Sequence, residues 1–300
     1  MPVRLGVGVD TAAGIWNDNP KGDELMPDIG AILKFLWDKR EEVLPLLARL
    51  RAWWKGDGRP DEAPGVLILG PGGTGKTTLA RFLAGDIDLP LFPPGSYVSS
   101  LEPEWFTRVG PPRAEILVGP GQVLRRNASW DDLLAHVAAG RCRGLVVVSA
   151  YGYESIESRS YRQHALYEGN KDAFLTALLA AQRAEELAVL GRVLDAVRLA
   201  PGRLWLLTVV AKQDLWWPRH GEVERYYRDG PYQDAVAAVV SGRDRRHEVC
   251  LTSLVIQNWG TADSERLAPN AEGYDQPLQS ESLRRLIETL DALRKWEDQP

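Results

Sequence analysis

Val66-Leu67-Ile68-Leu69-Gly70-Pro71-Gly72-Gly73-Thr74-Gly75-Lys76-Thr77 is the stretch that decides the fold. Its four aliphatic residues predict a short buried strand, and a helix is predicted to open at Lys76. Between them runs a glycine, four residues, then Gly-Lys-Thr, the pattern of a phosphate-cradling loop. Glycines let successive backbone N–H groups converge on phosphate oxygens with no Cβ in the way. The helix N-terminus adds partial positive charge. The expected binding set is Gly70, Gly72, Gly73, Thr74, Gly75, Lys76, Thr77 and the adjoining Thr78. Lys76 is expected on the β- and γ-phosphates and the Thr77 hydroxyl on Mg²⁺.

Working outward, short aliphatic runs alternate with long amphipathic segments from residue 65 onward. Strands are predicted over residues 66–69, 105–109, 114–118, 145–149, 204–210 and 248–256, and helices over 76–85, 130–139, 171–199, 230–240 and 280–296. Near-continuous apolar strands separated by helices predict an α/β fold, a mostly parallel sheet covered on both faces. Gly110-Pro111-Pro112 implies a tight hairpin and so one antiparallel edge pair.

Upstream, residues 1–27 carry Gly, Pro, Asn and Asp without a sustained period, which predicts an irregular lead. Residues 28–55 predict a helix with two apolar rows at multiples of seven, Leu36, Val43 and Leu50 beside Leu33, Leu47 and Trp54. Arg40 interrupts the stripe and Pro45 should bend it. That face packs on its own domain or docks a protein partner. Residues 56–64 form a linker, so 28–64 make a helical extension and 65–300 a nucleotide-binding domain with an insertion near 151–170.

The formal net charge of -5 favours neither DNA nor RNA nor an anionic membrane as partner. Cys142 and Cys250 sit in apolar, strand-like surroundings and are expected to be buried free thiols in a reducing compartment. The N-terminus lacks a secretory pattern and no transmembrane-length apolar run exists, which predicts a cytoplasmic protein. His136 and His164 lack further ligands at zinc spacing.

Val209-Val210-Ala211-Lys212-Gln213-Asp214 follows an apolar strand late in the domain. It is similar to the [NT]KxD motif of Ras-like GTPases, and with the phosphate loop the resemblance is to a divergent prokaryotic branch of that family over residues 65–296. The resemblance implies a Ras-like G domain that binds GTP or GDP with Mg²⁺. It implies that Asp214 accepts two hydrogen bonds from guanine and that the Lys212 stem lies over the purine. Ser253 in Thr252-Ser253-Leu254 stands for the loop near the guanine oxygen. Val118-Gly119-Pro120-Gly121-Gln122 falls where the family has DxxG and a catalytic Gln. Gly121 would sense the γ-phosphate through its N–H, and Gln122 would orient the attacking water. Val118 replaces the metal-shell Asp, and Ala211 replaces the Asn or Thr that braces the phosphate loop. For the switch hydroxyl on Mg²⁺, Ser99 and Ser100 are best placed by spacing, ahead of Ser96 and Thr107, and Ser100 is the expected ligand.

Two other readings stay open. The loop also fits an ATPase of the AAA or STAND type, though no acidic residue follows the predicted strand 145–149 before Glu154. A nucleotide-binding scaffold with little hydrolysis is the other. Arg125 and Arg126 are candidates for an arginine finger in cis. Trp216-Trp217-Pro218 could shield a base pocket, and residues 151–167 are expected to be a surface insertion and a possible partner site.

Overall fold

The computed structural model describes residues 65–84, 102–107, 115–121, 123–242, 244–262 and 265–297, with residue 299. The lead and helix predicted over residues 1–64 lie outside the described residues, as do Ser96, Ser99, Ser100 and Gln122.

The chain runs β1 (Val66–Leu69), α1 (Lys76–Ala84), β2 (Glu104–Thr107), β3 (Glu115–Val118), α2 (Val123–Ala138) and β4 (Gly144–Ser149). A 3₁₀ turn, Tyr161–Gln163, precedes α3 (Lys171–Leu199), and a second, Trp217–Arg219, comes later in the chain. Then come β5 (Leu204–Val210), α4 (Gln213–Trp216), α5 (His220–Arg228), α6 (Pro231–Ala237), β6 (Arg245–Leu251), β7 (Trp259–Gly260), β8 (Arg266–Ala268) and α7 (Gln276–Glu297).

Six strands form one sheet in the order β2-β3-β1-β4-β5-β6. All neighbours are parallel except β2, which pairs antiparallel with β3 at one edge. This is the expected α/β architecture, a mostly parallel sheet: β1 lies between β3 and β4, so the loop leaving β1 is flanked by the loops leaving both. The small hairpin β7–β8 stands apart from the main sheet.

Helices cover both faces because the strands are apolar on both. Leu67, Leu69, Leu145, Val147 and Leu206 point to the face covered by α2, α3, α5 and α6. Val66, Ile68, Val146, Val148 and Leu207 point to the face covered by α1 and α7. The alternation is the period of two imposed by the pleat. In α3, Glu186, Val189, Leu190, Val193, Leu194 and Val197 are buried, the spacing of one helical face. Asn170 caps that helix by accepting hydrogen bonds from the Asp172 and Ala173 N–H groups. The helix ends at the residue before Ala200, and Pro201 follows.

Where sequence and structure differ, the causes are local. Strand β6 stops at Leu251 although apolar sequence continues to Ile256. Thr252 still donates to the Val210 carbonyl at 3.0 Å and its own carbonyl accepts from Gln213, and the ladder between β5 and β6 ends there. Helix α5 escapes notice in the sequence because only Val223 and Tyr227 of its residues are buried. Helix α2 starts at Val123 rather than 130. On the side of β6 away from β5, Arg228 donates to the Val249 carbonyl at 2.9 Å. Cys142 and Cys250 are free and buried, as expected.

Candidate functional site

A wholly buried β1 delivers the glycine loop to the C-terminal edge of the sheet, where open α/β sheets hold ligands. Gly73 has φ +71°, a left-handed conformation that costs any residue with a Cβ. The Pro71 carbonyl accepts from Lys76 Nζ at 2.6 Å and from the Thr74 hydroxyl at 3.0 Å. Thr74 and Lys76 are buried, whereas Gly72, Gly73, Gly75, Thr77 and Thr78 keep part of their surface. The loop after β3 closes against this turn. A Cβ on Gly121 would collide with Lys76 Nζ and lie 2.6 Å from the Gly72 nitrogen, so only a glycine fits there. Trp130 holds that segment by donating from its indole to the Pro120 carbonyl at 2.9 Å. Val118 is buried in the core and in register with Ile68, so position 118 offers no ligand to a cation.

The second half of the site forms at the ends of β5 and β6. Lys212 adopts a left-handed conformation with φ 60° immediately before helix α4. Asp214, 1% exposed, accepts from the Ser253 hydroxyl on one oxygen and from the Gln257 N–H at 3.0 Å on the other. Burial pushes its carboxyl up to about 6, against those hydrogen bonds. Lys212 Nζ donates to the Tyr153 carbonyl at 2.8 Å and to the Ser155 hydroxyl at 3.0 Å. Burial brings its ammonium down to about 8, opposed by the carboxyls of Glu154 and Asp214. The structure therefore brings Lys212, Asp214 and Ser253 together. It also shows both Asp214 oxygens already accepting a bond, each with lone-pair capacity to spare.

The two tryptophans after Asp214 are placed differently, and Trp217 lines a cavity with Gln213 and His220. Trp216 is wholly buried and donates to the Ala211 carbonyl at 2.8 Å, while Trp217 stacks on His220 with ring centroids 5.0 Å apart.

A third segment, residues 150–155, joins the two halves. The expected surface insertion is surface only in its second part. Tyr151, Gly152, Glu154 and Ile156 are buried. Tyr151 and Gly152 both have positive φ, and the Tyr153 N–H donates to the Ala150 carbonyl, which makes a turn of type I′. Glu186 holds that turn from below. One of its oxygens accepts from the Ala150 N–H at 2.7 Å and the Gly152 N–H at 3.2 Å, and the other from the Tyr227 hydroxyl. Glu154 is buried beside it, and burial together with the Glu186 charge raises its carboxyl well above the usual range. The Ser155 N–H donates to the Gly73 carbonyl at 3.1 Å, so the segment lies directly on the phosphate loop. Sequence reasoning missed Ser155, Glu154 and Glu186. Glu186 alone left a signal, a carboxylate on the buried stripe of α3 that continues through Leu190, Val193 and Val197. The side chains of Arg125 and Arg126 lie outside the described residues.

The glycine loop sits at the C-terminal end of β1, between the neighbouring strands β3 and β4.

No protein-family model matches the chain. Its sequence is 31% identical over 180 residues to an ATP-dependent zinc metalloprotease FtsH of Acidobacterium capsulatum, covering 59% of this chain and 26% of the relative. It is 29% identical over 205 residues to the chloroplastic FTSH 8 of Arabidopsis thaliana, covering 68% of this chain and 25% of the relative. The chain thus spans about a quarter of the curated relatives it matches. In structure it is similar to the GDP-bound signal recognition particle receptor SRb of Chaetomium thermophilum, at TM-score 0.37 and 12% identity, covering 76% of this chain and 99% of that one. It is also similar to the small COPII coat GTPase SAR1 of Encephalitozoon cuniculi in complex with GDP, at TM-score 0.39 and 14% identity, covering 91% and 95%. Among the described residues no group of His, Cys, Asp and Glu could hold a metal, and no helix is long and apolar enough to cross a membrane.

Proposed function

We propose that this domain binds Mg²⁺·GTP, hydrolyses it slowly to GDP and phosphate, and acts as a nucleotide-dependent switch. The observation that carries the reading is the assembly of Lys212, Asp214 and Ser253 at the sheet edge that presents the phosphate loop. A carboxylate there suits the paired N–H donors of guanine, which adenine lacks. In this reading Lys76 and the amides of residues 70–78 stabilise negative charge on the β- and γ-phosphates. Gly121 reads the γ-phosphate through its N–H, and Gln122 orients the attacking water. Thr77 and Ser100 supply hydroxyls to the metal, whose other oxygens come from the phosphates and water. With valine at position 118, no protein carboxylate steadies that shell, which is why slow turnover is proposed. The segment of residues 28–55, predicted from sequence as a helix, and the partly exposed part of residues 151–167 are the surfaces offered to a protein partner.

An ATPase is the second reading, favoured by the sequence similarity to the FtsH proteins and by a phosphate loop of the GPxGTGKT form. Against it, the first acid after β4 is Glu154, which is buried against Glu186 rather than set at the strand end.

Titration of GTP, GDP and ATP on the wild type and on Asp214→Asn tests the choice. Two hydrogen bonds to a carboxylate are worth about 1.5–3 kcal/mol each, so GTP affinity should fall by at least tenfold while ATP affinity stays unchanged. A wild type that prefers ATP would transfer the site to the second reading. Single-turnover GTP hydrolysis decides between switch and scaffold: intact binding with no detectable turnover removes the enzyme.

A further inference from the structure

We propose that Ser155 is the positioning residue that couples the phosphate loop to the base-selecting lysine, a role that deepens the nucleotide-binding reading and rests on it. Ala211 ends at Cβ and can make no side-chain hydrogen bond between the two loops. The structure makes that connection through a different segment. The Ser155 N–H donates to the Gly73 carbonyl at 3.1 Å, and its hydroxyl accepts from Lys212 Nζ at 3.0 Å. One residue therefore holds the phosphate loop with its backbone and the lysine with its side chain.

Ser155 can act this way because its neighbours are fixed. Before it, the Glu154 carbonyl accepts from the Trp259 indole at 2.8 Å, and the Glu154 side chain is buried against Glu186. The Tyr153 carbonyl takes the second Lys212 bond. After it, Ile156 is buried and bridges to Thr261. A segment held on both sides cannot follow Lys212 if the lysine moves, so it defines where the ammonium rests. The turn of residues 150–155 thus fixes the distance between the phosphate subsite and the nucleoside subsite.

The test compares wild type, Ser155→Ala and Ser155→Thr with three probes: GTP, ATP and inorganic triphosphate, which carries no base. Ser155→Ala keeps the backbone bond to Gly73 and removes only the acceptor for Lys212. It should weaken the purine nucleotide that the wild type prefers by about tenfold, the loss of one hydrogen bond to a charged group. Inorganic triphosphate should bind as before, and Ser155→Thr should restore the nucleotide. Equal weakening of triphosphate and nucleotide would mean a general loosening of the loop and would overturn the proposal. So would an unchanged nucleotide affinity in Ser155→Ala. If the tenfold loss and its rescue appear with ATP in place of GTP, the coupling stands and the guanine assignment falls. Absence of binding of either purine to the wild type overturns both.

Discussion

If residues 150–155 press on the phosphate loop, two glycines in that loop should tolerate a methyl group very differently. Gly75 has φ +96° and open space around a built Cβ, so Gly75→Ala suffers only the left-handed backbone strain. That strain is about 1–2 kcal/mol. Gly73 has φ +71° and suffers the same strain, but its Cβ would also collide with the Ser155 carbonyl and lie 2.6 Å from the Ser155 nitrogen. To relieve the overlap the segment must move, and its bond to the Gly73 carbonyl and those from Lys212 are the first to stretch. Losing one or two such bonds adds about 1–3 kcal/mol. In a domain of this size 1 kcal/mol moves Tm by about 2–4 °C. Gly73→Ala should therefore melt about 2–12 °C below Gly75→Ala when both are followed by circular dichroism without nucleotide. Equal melting temperatures would show that nothing leans on Gly73, and the coupling through Ser155 would lose its basis.

If Asp214 selects the base as proposed, selection should depend on pH. Its carboxyl is raised from 3.8 to about 6, so the folded protein takes up this proton as pH falls through 6. Protonation removes the guanine acceptor while relieving the cost of a buried charge. The stabilising contribution of the raised group is fully present below 3.8 and lost as pH rises through 6. The GTP-over-ATP ratio should fall below pH 6, and a ratio that stays flat from pH 7 to 5 refutes the assignment. Trp130→Phe removes the donor to the Pro120 carbonyl and should lower stability by about 1–3 kcal/mol; a denaturant melt with an unchanged midpoint would contradict it.

The strands and the phosphate loop were legible because burial on both sheet faces demands unbroken aliphatic runs. Leu204–Val210 reads correctly from sequence at both ends, as does the 29-residue helix Lys171–Leu199. The loop motif is local: twelve residues encode strand, turn and helix start. Lys212, Asp214 and Ser253 were legible only through a family resemblance, since 39 positions separate the last two and nothing local links them. Ser155 was illegible for a plainer reason. Its role depends on a type I′ turn built from Tyr151, a poor residue for positive φ, and held by Glu186 from a helix far along the chain. No propensity rule favours that turn; tertiary hydrogen bonds impose it.

The last strand of the sheet carries one more consequence. Because Asp244 and Thr252 direct their bonding groups to β5, the alternate residues Arg245, His247, Val249 and Leu251 turn theirs to a margin that no strand among the described residues pairs. Bare margins recruit strands from other molecules. Here the Arg228 guanidinium occupies the Val249 carbonyl, and the Arg246–Glu248 ion pair lines the same rim. A chain end or neighbour seeking to zip onto this side must first displace a cation from its acceptor and desolvate an ion pair, which protects the domain against growing by edge-to-edge stacking.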